Sequence, residues 1–429
     1  MNTLLSKSSS RMNLFFTILS CAVFLLSCLN HSSEVVLIMF FLSLIVCLFR
    51  FSRTNVEQGI KYIIYAFVAM FATIIPNLFF NNGFAYDHFR SFNMQVSYLV
   101  ASAVLFLMIG LRVSLNPKII IYAICIAAYI NGIIGIVQKV FFHIDRVNGF
   151  TGIFEFAHLS AVLGLCVFTY FLKENTSFKE RIFFGIAFVL IVSVLIFNES
   201  RGIAIGFACG CLVILCIYIF VKKMKIVYAF KSIALLVILL LILGGTLSPF
   251  VKSSLERYHL IKTDLQEYEH KNSDTSIGAR FDMWKEAYRA FKISPIIGLN
   301  PKSLCEYVKY PNGEIHPRNH CYQRLHSEFF NTLARKGILG ILALLAVWIT
   351  TGVFFAKTIK SDDALEAIFG KNEALASVFS ISFMGILALY IVSGAGNEPM
   401  IAFSEGNYFL LIVIVFASIV YPYRNKSSR

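Results

Sequence analysis

Charge is scarce in this chain. Of its 429 residues only 14% are Asp, Glu, Lys or Arg, while 58% are hydrophobic and the mean hydropathy is +0.73. A water-soluble globule cannot hide that much apolar surface, which excludes it as the frame for the whole sequence. There is no acidic metal-binding cluster and no Asp-x-Asp pair. No Gly-x-x-x-x-Gly-Lys loop is present to cradle a nucleotide phosphate, and no Ser or Cys sits in a recognisable nucleophile elbow. The apolar runs are almost free of central acids and bases, which ion-coupled carriers place there. Internal repeats and low-complexity segments are also missing. No small-residue cleavage site follows the first apolar run, so 13–30 reads as a retained helix.

What the chain does have is a series of apolar runs of about 20 residues, rich in its 43 Phe. The runs are continuous rather than alternating, so they read as helices and not as barrel strands. The fold class expected is an all-α integral membrane protein of about twelve transmembrane helices. The spans fall near 13–30, 34–50, 61–80, 94–111, 118–141, 154–172, 182–198, 202–221, 227–249, 337–356, 374–394 and 407–422. Three regions follow: helices 1–9 over 1–250, a long loop over 251–336, and helices 10–12 over 337–429.

The net charge of +14 points to orientation rather than to a nucleic-acid partner. Lys and Arg concentrate in alternate short connections, such as Arg50, Arg53 and Lys61, or Lys222, Lys223 and Lys225. The other set holds little beyond Arg90, Lys139, Arg146 and Arg201. By the positive-inside rule both termini are expected in the cytoplasm, and the long loop outside. Most of the ten Cys lie within apolar runs and act as small hydrophobes. Cys305 and Cys321 both fall in the long loop, where an oxidising compartment permits a disulfide.

Long loops are usually functional. Here Phe281, Trp284, Tyr288 and Phe291 recur at helical spacing, which predicts an amphipathic helix over about 279–292. Pro295, Gly298 and Pro301 break the chain, and a second helix is expected over about 322–335 with Phe329, Phe330 and Leu333 on one face. Three residues stand out as candidates for chemistry. Arg201 sits in a minimal turn, Asn198-Glu199-Ser200-Arg201-Gly202, where its planar fork suits phosphate oxygens; the plainer alternative is a snorkelling Arg paired with Glu199. Arg280 lies at the border of the apolar face of its helix, placed either for a cavity or as a surface anchor. His326, three and four residues before Phe329 and Phe330, is expected on their buried face, either as a base for a sugar hydroxyl or as an interfacial His bonded to backbone. His316, Arg318, His320 and Arg324 rank lower, because with Tyr322 they also fit a solvated basic stretch. Two fixed cations and one base, with no metal or cofactor, suit displacement of a diphosphate leaving group.

These segments carry a family resemblance. Gly278-Ala279-Arg280 through Trp284, then Ile293-Ser294-Pro295-Ile296-Ile297-Gly298-Leu299, resembles the loop signature of the O-antigen ligase and polymerase superfamily. His326 with the run Asn331 to Gly340 is similar to that group's His-led helix, and Ser200-Arg201-Gly202 to its short outer turn. Ser327 departs from the Asn that many relatives carry after the His. The stretch Asp274 to Arg280 is closest to enterobacterial O-antigen ligases. The resemblance implies a metal-independent, inverting glycosyltransferase in the inner membrane of a Gram-negative bacterium, with its active site periplasmic. The implied donor is undecaprenyl-diphosphate-linked O-antigen and the acceptor is lipid A-core. His326 would then be the base, with Arg201 and Arg280 on the diphosphate. An O-antigen polymerase using the same carrier, and a lipid-linked oligosaccharide flippase, remain as alternatives.

Overall fold

The computed structural model describes residues 2–46, 56–76, 86–174, 176–246, 263–270, 275–299, 325–360 and 371–424. Among these residues regular structure is helical, apart from one isolated bridge pairing Leu29 with Phe150. The helices are α1 (Asn2–Leu25), α2 (Ser32–Val46), α3 (Gln58–Ala72), α4 (Tyr86–Gly110), α5 (Pro117–Val140), α6 (Ile153–Leu172), α7 (Phe178–Asn198), α8 (Arg201–Cys216), α9 (Ile226–Thr246), α10 (Ser276–Ile293), α11 (Glu328–Lys360), α12 (Lys371–Ser393) and α13 (Phe403–Arg424). A further short helix covers 263–269.

Local sequence explains several boundaries. Pro117 opens α5, and the Asn116 side chain accepts the amides of Lys118 and Ile119. At α7 a capping box forms: Ser177 Oγ accepts the Glu180 amide while Glu180 accepts the Ser177 amide.

Nine helices are long and apolar enough to cross a membrane among the described residues, from the one containing Asn93–Gly110 to Ser404–Pro422. Three shorter apolar helices, Ser10–Leu25, Ser32–Ile45 and Gln58–Ala72, occupy the first three expected spans. The protein is an all-α, multi-pass integral membrane protein. Burial separates centre from edge: 94% of the Ser404–Pro422 window is buried, against 17% of Ile226–Gly245. α13 therefore runs through the middle of the bundle, whereas α9 turns Phe230, Leu241 and Ile242 outward, as lipid contact allows.

The most extensive helix pairing among the described residues is α8 with α12. A Cβ at Gly206 would lie 2.9 Å from Leu389 O, and one at Gly210 would lie 2.7 Å from Gly385 O. Small residues one turn apart thus let the two backbones touch, the usual device for close helix contact in lipid. That contact fixes the first residue of α8, Arg201, against the turn that leaves α12 at 394–402.

Candidate functional site

The turn between α7 and α8 is built on Glu199, a non-glycine residue in the left-handed region at φ 61°. It reverses the chain within two residues, so that Arg201 becomes the first residue of α8. Glu199 faces Lys139 at 3.8 Å, whereas Arg201 Nη1 lies 3.9 Å from Asp264 Oδ2. Sequence reading considered Glu199 as a partner of Arg201, and the structure places Asp264 beside Arg201 as a partner. Asp264 Oδ2 also accepts the Ser276 hydroxyl at 3.1 Å, which ties the 263–269 helix to the start of α10.

The structure places the first loop helix over Ser276–Ile293, with Thr275 Oγ1 accepting the Gly278 amide as its cap. The face it buries differs from the expected aromatic stripe. Gly278, Met283, Ala287 and Ala290 are buried, while Tyr288 is 51% exposed. Close packing against Leu299, Leu325 and Ala334 selects small side chains and pushes the rings to the flank. There Tyr268, Phe281, Trp284, Lys285, Tyr288 and Phe330 line a shallow pocket of about 420 Å³, with Trp284 stacked on Phe330 at 5.2 Å.

Arg280 is half-buried on α10. Burial pulls its guanidinium below the usual range, and the positive charge of Arg201 adds to that pull. The two cations are therefore near enough to repel one another. The turn after α12 passes close to Arg280 and to the start of α8: a Cβ at Gly396 would sit 3.8 Å from Arg280 Nη1, and one at Gly202 would sit 3.3 Å from Asn397 Nδ2. Like charges held together by a protein mark a place prepared for anions.

His326 is not on a helix. The second loop helix begins at Glu328, with residues 325–327 non-helical, so the expected helical face shared with Phe329 and Phe330 does not extend to it. His326 instead adopts φ 47°, a left-handed conformation rare for a residue with a Cβ. Bonds on both sides hold it. The Leu325 amide donates to Glu398 Oε1 at 2.7 Å, and the Leu325 carbonyl accepts Trp284 Nε1 at 3.2 Å. On the other side the Glu328 amide donates to the carbonyls of Gly394 and Asn397, both at 2.8 Å. The Glu328 side chain returns to the same turn by accepting the Met400 amide at 2.8 Å. Strain at a polar residue, fixed by neighbours from two elements, is the pattern of a prepared site. The His326 ring lies 6.4 Å from the ring of Phe154, at the start of α6.

The remainder of the loop signature also comes together. Within α11, Gly337 breaks helical geometry at φ 59°. The amides of Ile338 and Leu339 then donate to the carbonyls of Pro295 (2.9 Å) and Ile296 (3.3 Å), while the Leu299 amide donates to Ala334 O at 2.7 Å. A Cβ on Gly298 would fall 2.2 Å from the Arg335 carbonyl carbon, and one on Gly337 would fall 2.4 Å from Ile296 O. The two motifs clasp backbone to backbone, and only glycine permits it.

His316, Arg318, His320 and Arg324 lie outside the described residues, as do Cys305 and Cys321. Cys21, Cys28, Cys125, Cys166, Cys209, Cys211 and Cys216 are unbridged. Asp264, Glu398 and Arg146 are neighbours of the site that sequence reading did not single out. Arg146 donates to Ser200 Oγ beside Arg201, and its guanidinium lies over Phe154.

A protein of Haemophilus influenzae (strain KW20/Rd), described only as an uncharacterized protein, is 25% identical over 312 residues, covering 70% of this chain and 74% of the relative. Residues 186–345, a stretch that contains Arg201, Arg280 and His326, match the family model described as O-antigen ligase.

Proposed function

We propose that this protein is an O-antigen ligase, which transfers polymerised O-antigen from undecaprenyl diphosphate to a sugar hydroxyl of lipid A-core at the outer face of the inner membrane. The observation that carries the reading is the convergence on one turn, 394–402, of Arg280, the α8 end bearing Arg201, and the strained segment bearing His326.

In this reading His326 accepts the proton of the acceptor hydroxyl. The freed oxygen attacks the anomeric carbon of the donor sugar from the face opposite the diphosphate. The bond from that carbon to the phosphate oxygen breaks, its electron pair leaves with undecaprenyl diphosphate, and the configuration inverts. Arg201 and Arg280 hold the diphosphate and offset the charge that grows on it, work done elsewhere by divalent metals. Arginine suits this role because its fork meets two phosphate oxygens at once. Their mutual repulsion in the unliganded protein is relieved when the dianionic bridge binds, which favours the donor.

The test is His326→Ala in the source strain. The variant should insert at wild-type levels and yield lipopolysaccharide without long chains, while polymer accumulates on the carrier. A normal ladder from that variant would remove His326 as the base. Deleting the gene separates ligase from polymerase: lipid A-core bearing one repeat unit would assign the chain to polymerisation.

A further inference from the structure

Arg146 stands in the connection between α5 and α6, and the backbone around it is fixed from both sides. Gln138 Oε1 accepts the amides of Asn148 and Gly149 at 3.0 Å, and Lys139 Nζ donates to Asp145 O at 2.7 Å. From α7, Asn198 Nδ2 donates to Val147 O and to Ile153 O, both at 2.7 Å. The Val147 amide donates in turn to Phe197 O at 3.3 Å. The Arg146 side chain thus starts from a rigid base.

Three contacts of its guanidinium bear on the site. Nε donates to Asn198 O at 3.0 Å and Nη2 donates to Ser200 Oγ at 3.1 Å. These two acceptors flank Glu199, whose left-handed backbone produces the turn that presents Arg201. One fork therefore holds both shoulders of a strained residue. The guanidinium carbon also lies 5.7 Å from the centre of the Phe154 ring, and that ring is 6.4 Å from the ring of His326. Arg146 touches the turn of the diphosphate-gripping arginine on one side and the wall of the base on the other.

We propose that Arg146 is a positioning residue that locks the Arg201 turn and the Phe154 wall of His326 into one unit. The proposal rests on the reading of Arg201 and His326 given above. It requires the planar fork and not merely a positive charge, because a lysine ammonium cannot meet the Asn198 carbonyl and the Ser200 hydroxyl while covering a ring. Each bond of this kind that aligns a transition state is worth roughly tenfold in rate.

The experiment uses the purified full-length protein in lipid nanodiscs, with undecaprenyl-diphosphate-linked glycan as donor and lipid A-core as acceptor. Arg146→Lys should lower kcat by about tenfold to a hundredfold, with the KM for both substrates changed less than about threefold and the thermal midpoint nearly unchanged. Ser200→Ala should cost less, and the double variant should be no slower than Arg146→Lys alone, since the same bond is already lost. Near-wild-type kcat in Arg146→Lys, or losses that multiply in the double variant, would overturn the role. A fall in thermal midpoint that accounts for the lost turnover would also overturn it. Should Arg146→Lys fail to accumulate, Ser200→Ala and Phe154→Leu carry the test, singly and together. A link through Arg146 predicts a combined loss smaller than the product, and a simple product refutes it. Wild-type turnover by His326→Ala in the same assay would instead strike the site itself, and the positioning role with it.

Discussion

Glu398 accepts the amide of Leu325 at 2.7 Å, so a residue from the turn after α12 anchors the peptide that leads into the left-handed His326. Replacing Glu398 with Ala removes that acceptor and loosens one of the bonds that hold the 325–327 segment. Glu398→Ala should reduce glycan transfer by about tenfold or more, in line with one lost charge-assisted hydrogen bond of about 1.5–3 kcal/mol. Glu398→Gln keeps a carbonyl acceptor and should retain most activity. Turnover assays on the two variants check this, and equal losses would show that charge rather than the bond matters.

Arg280 is held below its usual range by burial and by Arg201, and a lysine ammonium placed there would feel the same pull from a lower starting point. A depressed cation loses its proton as pH rises. Transfer by Arg280→Lys should therefore be impaired at neutral pH for want of the fork, and should fall further as pH is raised into the alkaline range. Wild-type transfer should not show that additional fall. Parallel pH profiles of the two proteins provide the measurement.

Asp264 lies 3.9 Å from Arg201, and under the proposed function it competes with the donor diphosphate for that guanidinium. Asp264→Asn removes the charge but keeps an oxygen for the Ser276 hydroxyl. The donor KM should drop by up to about fivefold, the scale of a partly exposed ion pair of about 1 kcal/mol. A raised KM would mean that Asp264 instead orients the guanidinium for binding.

Glu286 on α10 has its carboxyl pushed up to about 7, by burial first and then by Asp282, with Arg289 opposing. A carboxyl whose pKa rises on folding binds its proton more tightly in the folded state. Its contribution is complete below the unfolded value of about 4.3 and is lost as pH climbs through about 7. Glu286→Gln should therefore raise the thermal midpoint at pH 8 by about 1–2 °C and change it little at pH 5. Melting curves at the two pH values decide this.

The parts of this architecture that follow a period or a composition were readable in the sequence. Continuous apolar runs predicted spans, and the Ser200-Arg201-Gly202 turn stood out because two such runs met with almost nothing between them. The α10 helix was legible, but its buried face was not. Periodicity weights large apolar rings, whereas α10 buries Gly278, Ala287 and Ala290 alongside Met283, and these small residues leave little trace in a hydrophobic pattern. His326 was found by residue type and resemblance, yet the helical period was carried through it, although its backbone is set by bonds from distant elements. Those partners were invisible for the same reason. Glu398 lies 72 residues beyond His326 and Arg146 precedes Ser200 by 54, and no local regularity joins positions so far apart.

The break at Gly337 makes the helix that follows His326 and the membrane helix after it one continuous piece of chain, and residues 294–299 are bonded into the break. The peptide on either side of His326 takes its partners from Gly394, Asn397 and Glu398. During synthesis the ribosome must therefore pass position 398 before His326 acquires its final backbone shape. A nascent chain stopped after α11 would carry Arg201, Arg280 and His326 but lack the acceptors at Gly394, Asn397 and Glu398 that hold the peptides on either side of His326.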